Sequence, residues 1–145
     1  MIGIAGQLIF AMLVVHWVPL PRWRGTLGSI IESDALPQCR PPHVGPWSGV
    51  QSDCWWLARR IDAIADCFPF TIKCLPRAIV LQWISRREQI DVTLILATVR
   101  GHGQSEATID RFHAWVECQG KIMIGICNPA HYAPFLAIAS GSHPA

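Results

Sequence analysis

The sequence predicts an α+β fold in which helices come first and an antiparallel sheet follows. Apolar residues recur at helical spacing between 53 and 68, and a proline within 74–87 marks the first turn of a second helix. From residue 90 onward, β-branched segments are separated by turn residues, with no helical pattern between them. Helices grouped ahead of strands favour α+β over a repeating βαβ arrangement.

The composition is typical of one domain with a substantial apolar core. Of 145 residues, 51% are hydrophobic and 15% are charged, whereas soluble domains carry about 25% charged residues. The net charge of +2 comes without a stripe of Lys and Arg, so we expect no binding to nucleic acid. Six cysteines could form three disulfides, but disulfide scaffolds are usually shorter and poor in core residues. We therefore expect reduced thiols and a cytoplasmic protein.

Residues 1–25 are apolar enough to raise the question of a signal peptide or a membrane anchor. No Lys or Arg stands within 1–7, and the unbroken apolar run Leu8–Val15 is shorter than the roughly 20 residues of a spanning helix. The pattern predicts a helix over 7–18, ended by "PLP" at 19–21. We expect this helix to be buried or to face a partner, with membrane association as the less favoured alternative.

A Pro- and Gly-rich stretch at 35–52 predicts a loop, after which Ser52 or Asp53 caps the next helix. The apolar face of that helix is predicted at Leu57, Ile61, Ile64 and Phe68, and Pro69 ends it.

The stretch "KCLPRAIVLQWISRR" at 73–87 predicts the next helix. Proline is accepted in a first turn but not deep in a helix, so Pro76 places the helix start at or next to Cys74. Apolar residues lie on more than one side of it, which predicts a central, buried position.

Three antiparallel strands are predicted after this helix. They are "IDVTLILATV" at 90–99, "FHAWVEC" at 112–118 and "KIMIGI" at 121–126. The pattern predicts a loop at 100–110 between the first two and a tight turn at Gln119–Gly120 between the last two.

Cys74 is a candidate nucleophile because of its place at a helix N-terminus. Free N–H groups and the helix dipole favour the thiolate there, and the thiolate is the reactive form. A buried structural cysteine is an equally good interpretation of Cys74 alone. The presence of His113 favours the interpretation of Cys74 as a nucleophile, since a histidine on a sheet packed against this helix could take the thiol proton.

The motifs around these two residues resemble a known family. "CLPRA" at 74–78 and "HAWVE" at 113–117, with a hydrophobic strand between them, are similar to the transglutaminase-like leader peptidases of lasso peptide biosynthesis, the B proteins. The segment 8–28 also resembles the leading helix of that family. The resemblance covers most of the chain and is weakest over 30–52.

This resemblance implies a transglutaminase-like, papain-like core and a cysteine protease that cuts the leader from a ribosomally made precursor peptide. Cys74 would be the nucleophile and His113 the general base. The chain resembles the stand-alone protease half, because longer members carry an additional leader-recognition domain. It would then need a separate leader-binding protein as partner, and the ATP-dependent lasso cyclase is a second candidate partner. We expect one domain over 1–145, with the catalytic core at 53–145 and the N-terminal helix and loop at 1–52.

The third catalytic residue departs from the family pattern. The family usually has Asp twelve residues beyond the histidine, and Gly125 stands there. We expect Asn128 to take this role, since Cys-His-Asn triads exist, with capping of its own turn as the alternative. Glu117 shares a strand face with His113 but lies about 13 Å along the strand, and Asp110 could fold back from the loop.

Arg77 belongs to the first motif and lies near Cys74. It is a candidate for binding an acidic group of the substrate or holding the thiolate, and a structural salt bridge is the alternative. We expect no cofactor and no metal, because Cys118, Cys127 and His131 lack the paired short spacings of zinc sites. Two other functions stay open: acyl transfer to amines by the same chemistry, and a non-catalytic scaffold, which Gly125 at the acid position suggests.

Overall fold

A computed structural model describes residues 3–31, 46–99 and 112–141. The predicted loop at 100–110 with Asp110, and residues 35–45 of the other loop, lie outside the described residues. The elements in chain order are α1 (Ile4–Trp17), α2 (Leu20–Trp23), β1 (Ser29–Ile31), α3 (Gly49–Asp66), α4 (Cys74–Arg87), β2 (Thr93–Val99), β3 (Phe112–Cys118), β4 (Lys121–Ile124) and β5 (Tyr132–Ala139). Single turns of 3₁₀ helix cover Arg24–Thr26 and Pro129–His131.

The strands form one antiparallel sheet of five, in the order β1-β5-β2-β3-β4. Strands β2, β3 and β4 make the predicted meander, and β3 has the predicted bounds. Gln119 and Gly120 both have positive φ, +49° and +80°, as a two-residue hairpin turn of type I′ requires. The predicted α+β class, with the Cys74 helix packed on an antiparallel sheet, is confirmed.

Strand β5 lies between β1 and β2, and the sequence pattern did not predict it. Its segment "YAPFLAIA" contains Pro134, which argues against a strand flanked on both sides. The register between β2 and β5 shifts at Leu96/Ala97, where Ala97 faces Pro134 and Leu96 faces Leu136. This irregularity accommodates the proline, because a bulge removes the need for its missing N–H.

Helix α4 is the centre of the molecule, as its pattern predicts. Ala78, Ile79, Val80 and Leu81 are fully buried, so four consecutive residues contact neighbours all around the helix. Buried Gln82 donates from Nε2 to the carbonyl oxygens of Leu27 (3.1 Å) and Ile138 (2.9 Å), which ties α4 to the segment before β1 and to β5. These two hydrogen bonds fix the middle of α4 relative to the sheet.

Helix α3 begins one turn earlier than predicted. Ser48, and not Ser52 or Asp53, is the N-cap, in a reciprocal capping box with Gln51. The Gln51 amide also donates to the carbonyl oxygens of Cys118 (3.4 Å) and Gln119 (3.3 Å), so it fixes this helix end to the β3–β4 hairpin. Of the predicted apolar face, Ile61 is fully buried, whereas Leu57, Ile64 and Phe68 are only partly buried; Cys54 and Ala58 complete the fully buried face.

Helix α1 starts three residues before the predicted 7–18 and buries a narrow face through Leu8, Ala11 and Val14. Its opposite side exposes Phe10, Leu13 and Trp17. Among the described residues, no helix combines the length and the apolar character needed to cross a membrane.

Candidate active site

Cys74 is the first residue of α4 and is partly buried against the edge of β3. Lys73 ahead of it is extended (φ −68°, ψ 171°), and Pro76 stands in the first turn, as predicted. Pairing of β3 with β4 stops at Val116↔Ile124, which leaves the Phe112 end of β3 without that neighbour. The Cys74 thiol occupies this edge and accepts a hydrogen bond from the backbone N–H of Ala114.

The surroundings of Cys74 favour the thiolate. Burial is the largest single influence and raises the pKa of the thiol. The hydrogen bond with His113, the N–H of Ala114, the His113 charge and the N–H of Leu75 together outweigh burial, so the pKa lies below its ordinary value. Cys74 thus has the electrostatic environment of a reactive cysteine.

His113 meets Cys74 from β3, and its pKa is raised. The hydrogen bond with Cys74 is the main cause; burial opposes it, and the backbone of Gly125 and the Cys74 charge add to it. A lowered thiol pKa beside a raised imidazole pKa favours a thiolate–imidazolium pair. The two predicted residues are therefore in contact and shifted in the directions that nucleophilic catalysis needs.

Two aromatic rings lie next to the imidazole. Tyr132, at the start of β5, stacks on His113 with centroids 5.1 Å apart and planes 26° apart. Trp115 stands two residues after His113 on β3, and the centroids of the two rings are 6.1 Å apart. Because β5 was not predicted, Tyr132 had no place in the sequence-based site, although an aromatic residue opening a strand is the signal that could have indicated it.

The position of the expected acid is occupied by backbone only. Gly125 has φ +72°, and a Cβ there would overlap the carbonyl oxygen of Ala114 and lie 3.1 Å from the Trp115 Cα. Its own carbonyl oxygen lies 2.9 Å from His113 Nε2.

The structure does not bring Asn128 to His113. Asn128 is exposed, and its Oδ1 accepts the backbone N–H of Ala130 at 3.2 Å, which is the turn-capping alternative. The Glu117 carboxylate likewise accepts from Trp115 Nε1 at 3.0 Å.

Arg77 forms the structural salt bridge that was the alternative to substrate binding. Its Nε donates to the Ile72 carbonyl at 2.9 Å, and its two terminal nitrogens contact Asp62 (3.1 Å) and Asp66 (2.7 Å) on α3. Burial would lower the pKa of the guanidinium, but the two carboxylates raise it, so it stays charged. Arg77 thereby fixes the segment that leads into Cys74.

Replacing Arg77 by Ala should lower the free energy of unfolding by about 2–4 kcal/mol, because two carboxylates and a carbonyl lose a partly buried partner. Arg77→Lys should recover only part of the loss, since an ammonium cannot span three acceptors in a plane. Urea denaturation measures both, with Arg60→Ala at an exposed position of α3 as the matched control. If Arg77→Ala and Arg60→Ala lowered the free energy of unfolding equally, the structural role of Arg77 would be contradicted.

The cysteines should differ in reactivity with pH. Labelling of Cys74 by iodoacetamide should rise with pH through a midpoint below the ordinary 9.0, because its thiolate is the stabilised form. Cys127, whose pKa is raised to about 11 by burial and by the charges of Glu117 and Cys74, should label only at high pH. Exposed Cys67 serves as the internal reference, and peptide mass spectrometry separates the sites. A Cys74 midpoint at or above 9.0 would contradict this assignment.

Among the residues that the structure describes, no three His, Cys, Asp or Glu side chains gather closely enough to hold a metal ion. Buried Cys118 forms a hydrogen bond with Cys54 instead.

The chain matches the family described as the transglutaminase-like superfamily over residues 14–137. No curated protein and no solved structure gives a significant match. This superfamily generally comprises cysteine peptidases and acyltransferases, and a cysteine at a helix N-terminus that meets a histidine on the sheet is an arrangement suited to both reactions. The match extends from α1 into β5 and so includes both Cys74 and His113. The chain therefore belongs to the transglutaminase-like superfamily.

Proposed function

We propose that this protein is a cysteine peptidase that removes the leader from a lasso peptide precursor, with Cys74 as nucleophile and His113 as general base. The observation that carries the proposal is the contact between the Cys74 thiol and His113, in which both pKa values are shifted toward the ion pair. The resemblance of "CLPRA" and "HAWVE" to the lasso B proteins supports the choice of substrate, because both motifs form this site.

The chemistry follows from the positions of these groups. The Cys74 thiolate attacks the carbonyl carbon of the scissile peptide bond, and the carbonyl electron pair moves to oxygen. The N–H of Cys74 lies at the first helical position, where no intrahelical acceptor exists, and in this mechanism it donates to the oxyanion. The His113 imidazolium donates its proton to the leaving amine as the C–N bond breaks, which leaves an acyl-enzyme thioester.

Hydrolysis of the thioester completes the cycle. Neutral His113 takes a proton from a water molecule, the hydroxide adds to the thioester carbon, and the Cys74 thiolate leaves. The leader is released as a free carboxylic acid, and the core peptide already carries a free N-terminal amine. That amine is what an ATP-dependent cyclase would join to an acidic side chain.

Reconstitution tests the proposal. The protein is mixed with its precursor peptide and a separate leader-binding protein, and products are followed by mass spectrometry. We expect a leader fragment with a free carboxylate and a core peptide, with release that increases when the leader-binding protein is present. Prior alkylation of Cys74 should block both products, and absence of cleavage by the unmodified protein would refute the proposal.

The same experiment separates hydrolysis from acyl transfer. Thioester chemistry allows an amine to replace water, and the product mass shows which acceptor was used. With a primary amine present in excess, a peptidase should still give mainly the free acid. A leader–amide adduct as the main product would assign the protein to the acyltransferases of the superfamily instead.

A further inference from the structure

We propose that the main-chain carbonyl of Gly125 replaces the acidic side chain of the triad and holds His113 in its reactive orientation. This inference rests on the proposed roles of Cys74 and His113, but not on the identity of the peptide that is cut. Gly125 is then a positioning residue, whose backbone carbonyl orients the His113 ring.

The hydrogen bond determines which ring nitrogen faces the nucleophile. The Gly125 oxygen lies 2.9 Å from Nε2, and a carbonyl oxygen can only accept, so Nε2 carries a proton. Nδ1 is then the nitrogen that remains for the Cys74 sulfur. It can accept the thiol proton in the neutral ring and donate it from the imidazolium.

The conformation of Gly125 explains why the carbonyl is available and an acid is not. Strand β4 ends at Ile124, Gly125 follows with φ +72°, and its carbonyl meets His113. The same conformation places any Cβ against the carbonyl oxygen of Ala114. Loss of the acidic side chain and gain of the carbonyl are therefore one structural change.

The other candidates for this role have different partners. Asn128 accepts the N–H of Ala130 in its own turn, and Glu117 accepts from Trp115. Tyr132 contacts the ring by its face and so restrains its tilt without taking its Nε2 proton. The ring is thus held at one edge by a carbonyl and on one face by an aromatic side chain.

A carbonyl differs from a carboxylate in charge. Its dipole stabilises the imidazolium less than a full negative charge would, so the ion pair depends mainly on Cys74 itself. The raised pKa of His113 is consistent with this, because its hydrogen bond with Cys74 contributes most to the rise and the Gly125 carbonyl contributes less.

Replacing the Gly125–Ile126 amide by an ester tests the carbonyl without changing a side chain; it also removes the Ile126 N–H. The α-hydroxy acid of isoleucine at position 126 keeps every side chain but makes the Gly125 carbonyl a weaker acceptor. In a Cys74→Ala background, the ester should lower the pH midpoint of His113, measured by NMR, and should speed exchange of its Nε2 proton. With Cys74 present, the rate of Cys74 labelling at neutral pH should fall by about two- to tenfold, which corresponds to the net free energy of one hydrogen bond.

Matched variants show whether the effect is specific. In a Cys127→Ala background, lactic acid at 127 weakens the Ile126 carbonyl instead and should leave the His113 midpoint in place. Gly125→Asp, which restores the family acid, should lower labelling and leader release instead of raising them, because its Cβ cannot fit this backbone. Circular dichroism and urea denaturation report whether that variant folds.

Two outcomes would overturn the inference. In the first, the ester protein has the same His113 pH midpoint and the same Nε2 proton exchange as the protein with the amide. In the second, Asn128→Ala lowers the His113 pH midpoint and the ester does not. The titration and labelling readouts do not require a peptide substrate. A protein that shows them but cuts no precursor would refute the proposed function and leave the role of Gly125 intact.

Discussion

Cys74→Ala should reduce leader release by at least about 10⁴-fold, the scale seen when a nucleophile that acts together with its base is removed. The expected loss is large because Cys74 is the thiol that forms the hydrogen bond with His113, and the start of α4 sets its position. Mass spectrometry of the core peptide measures the loss, and urea denaturation checks that the partly buried site tolerates alanine.

Two further variants make this result specific. Cys74→Ser should be nearly as inactive, because burial and one histidine cannot bring a hydroxyl to the anionic state near neutral pH. Cys67→Ala removes an exposed cysteine just after α3 and should retain full activity. Release by Cys74→Ala at the parental rate would remove the basis of the mechanism.

The helical half of the site could be predicted because its signals are local. Proline is accepted in the first turn of a helix and disfavoured beyond it, so Pro76 alone indicates that α4 starts at or next to Cys74. The β3–β4 hairpin was equally local, since Gln119 and Gly120 are adjacent residues that both take positive φ. In both cases the backbone preference of one or two residues determines the structure.

Strands β1 and β5 could not be predicted in this way. Their pairing joins Ser29 to Ala139, so the stabilising contacts come from opposite ends of the chain. Pro134 also argues locally against a strand, and only the bulge opposite Ala97 resolves the conflict. Without β5, neither the stacking of Tyr132 on His113 nor the final sheet order could be inferred.

The third group of the site was missed for a different reason. The family pattern has an acidic side chain twelve residues after His113, and Gly125 at that position has no side chain. The interacting atom belongs to the main chain, which every residue has, so no residue type identifies it. The glycine itself is the indirect signal, since glycine at the end of a strand is typical of a chain reversal or a close approach.

His113→Ala should reduce leader release by about 10²- to 10⁴-fold, the usual contribution of a general acid–base group. It should also raise the midpoint of Cys74 labelling. His113 supplies two of the four influences that lower the pKa of Cys74, whereas burial, the largest influence, raises it and persists in the variant. Only the N–H groups of Ala114 and Leu75 would then oppose burial. Each unit by which the midpoint rises above the working pH lowers the thiolate fraction about tenfold.

The matched control is His131→Ala, which removes an exposed histidine close in sequence to Tyr132 and should leave both readouts unchanged. The pH profile distinguishes loss of the base from loss of the fold. If His113→Ala only loosened the structure, labelling of Cys74 would become faster at every pH as burial decreased. If His113 acts as proposed, labelling becomes slower near neutral pH and recovers at high pH, where the thiol ionises without a partner. Recovery of labelling without recovery of leader release at high pH would then assign His113 a second role, donation of the proton to the leaving amine, which added hydroxide cannot replace.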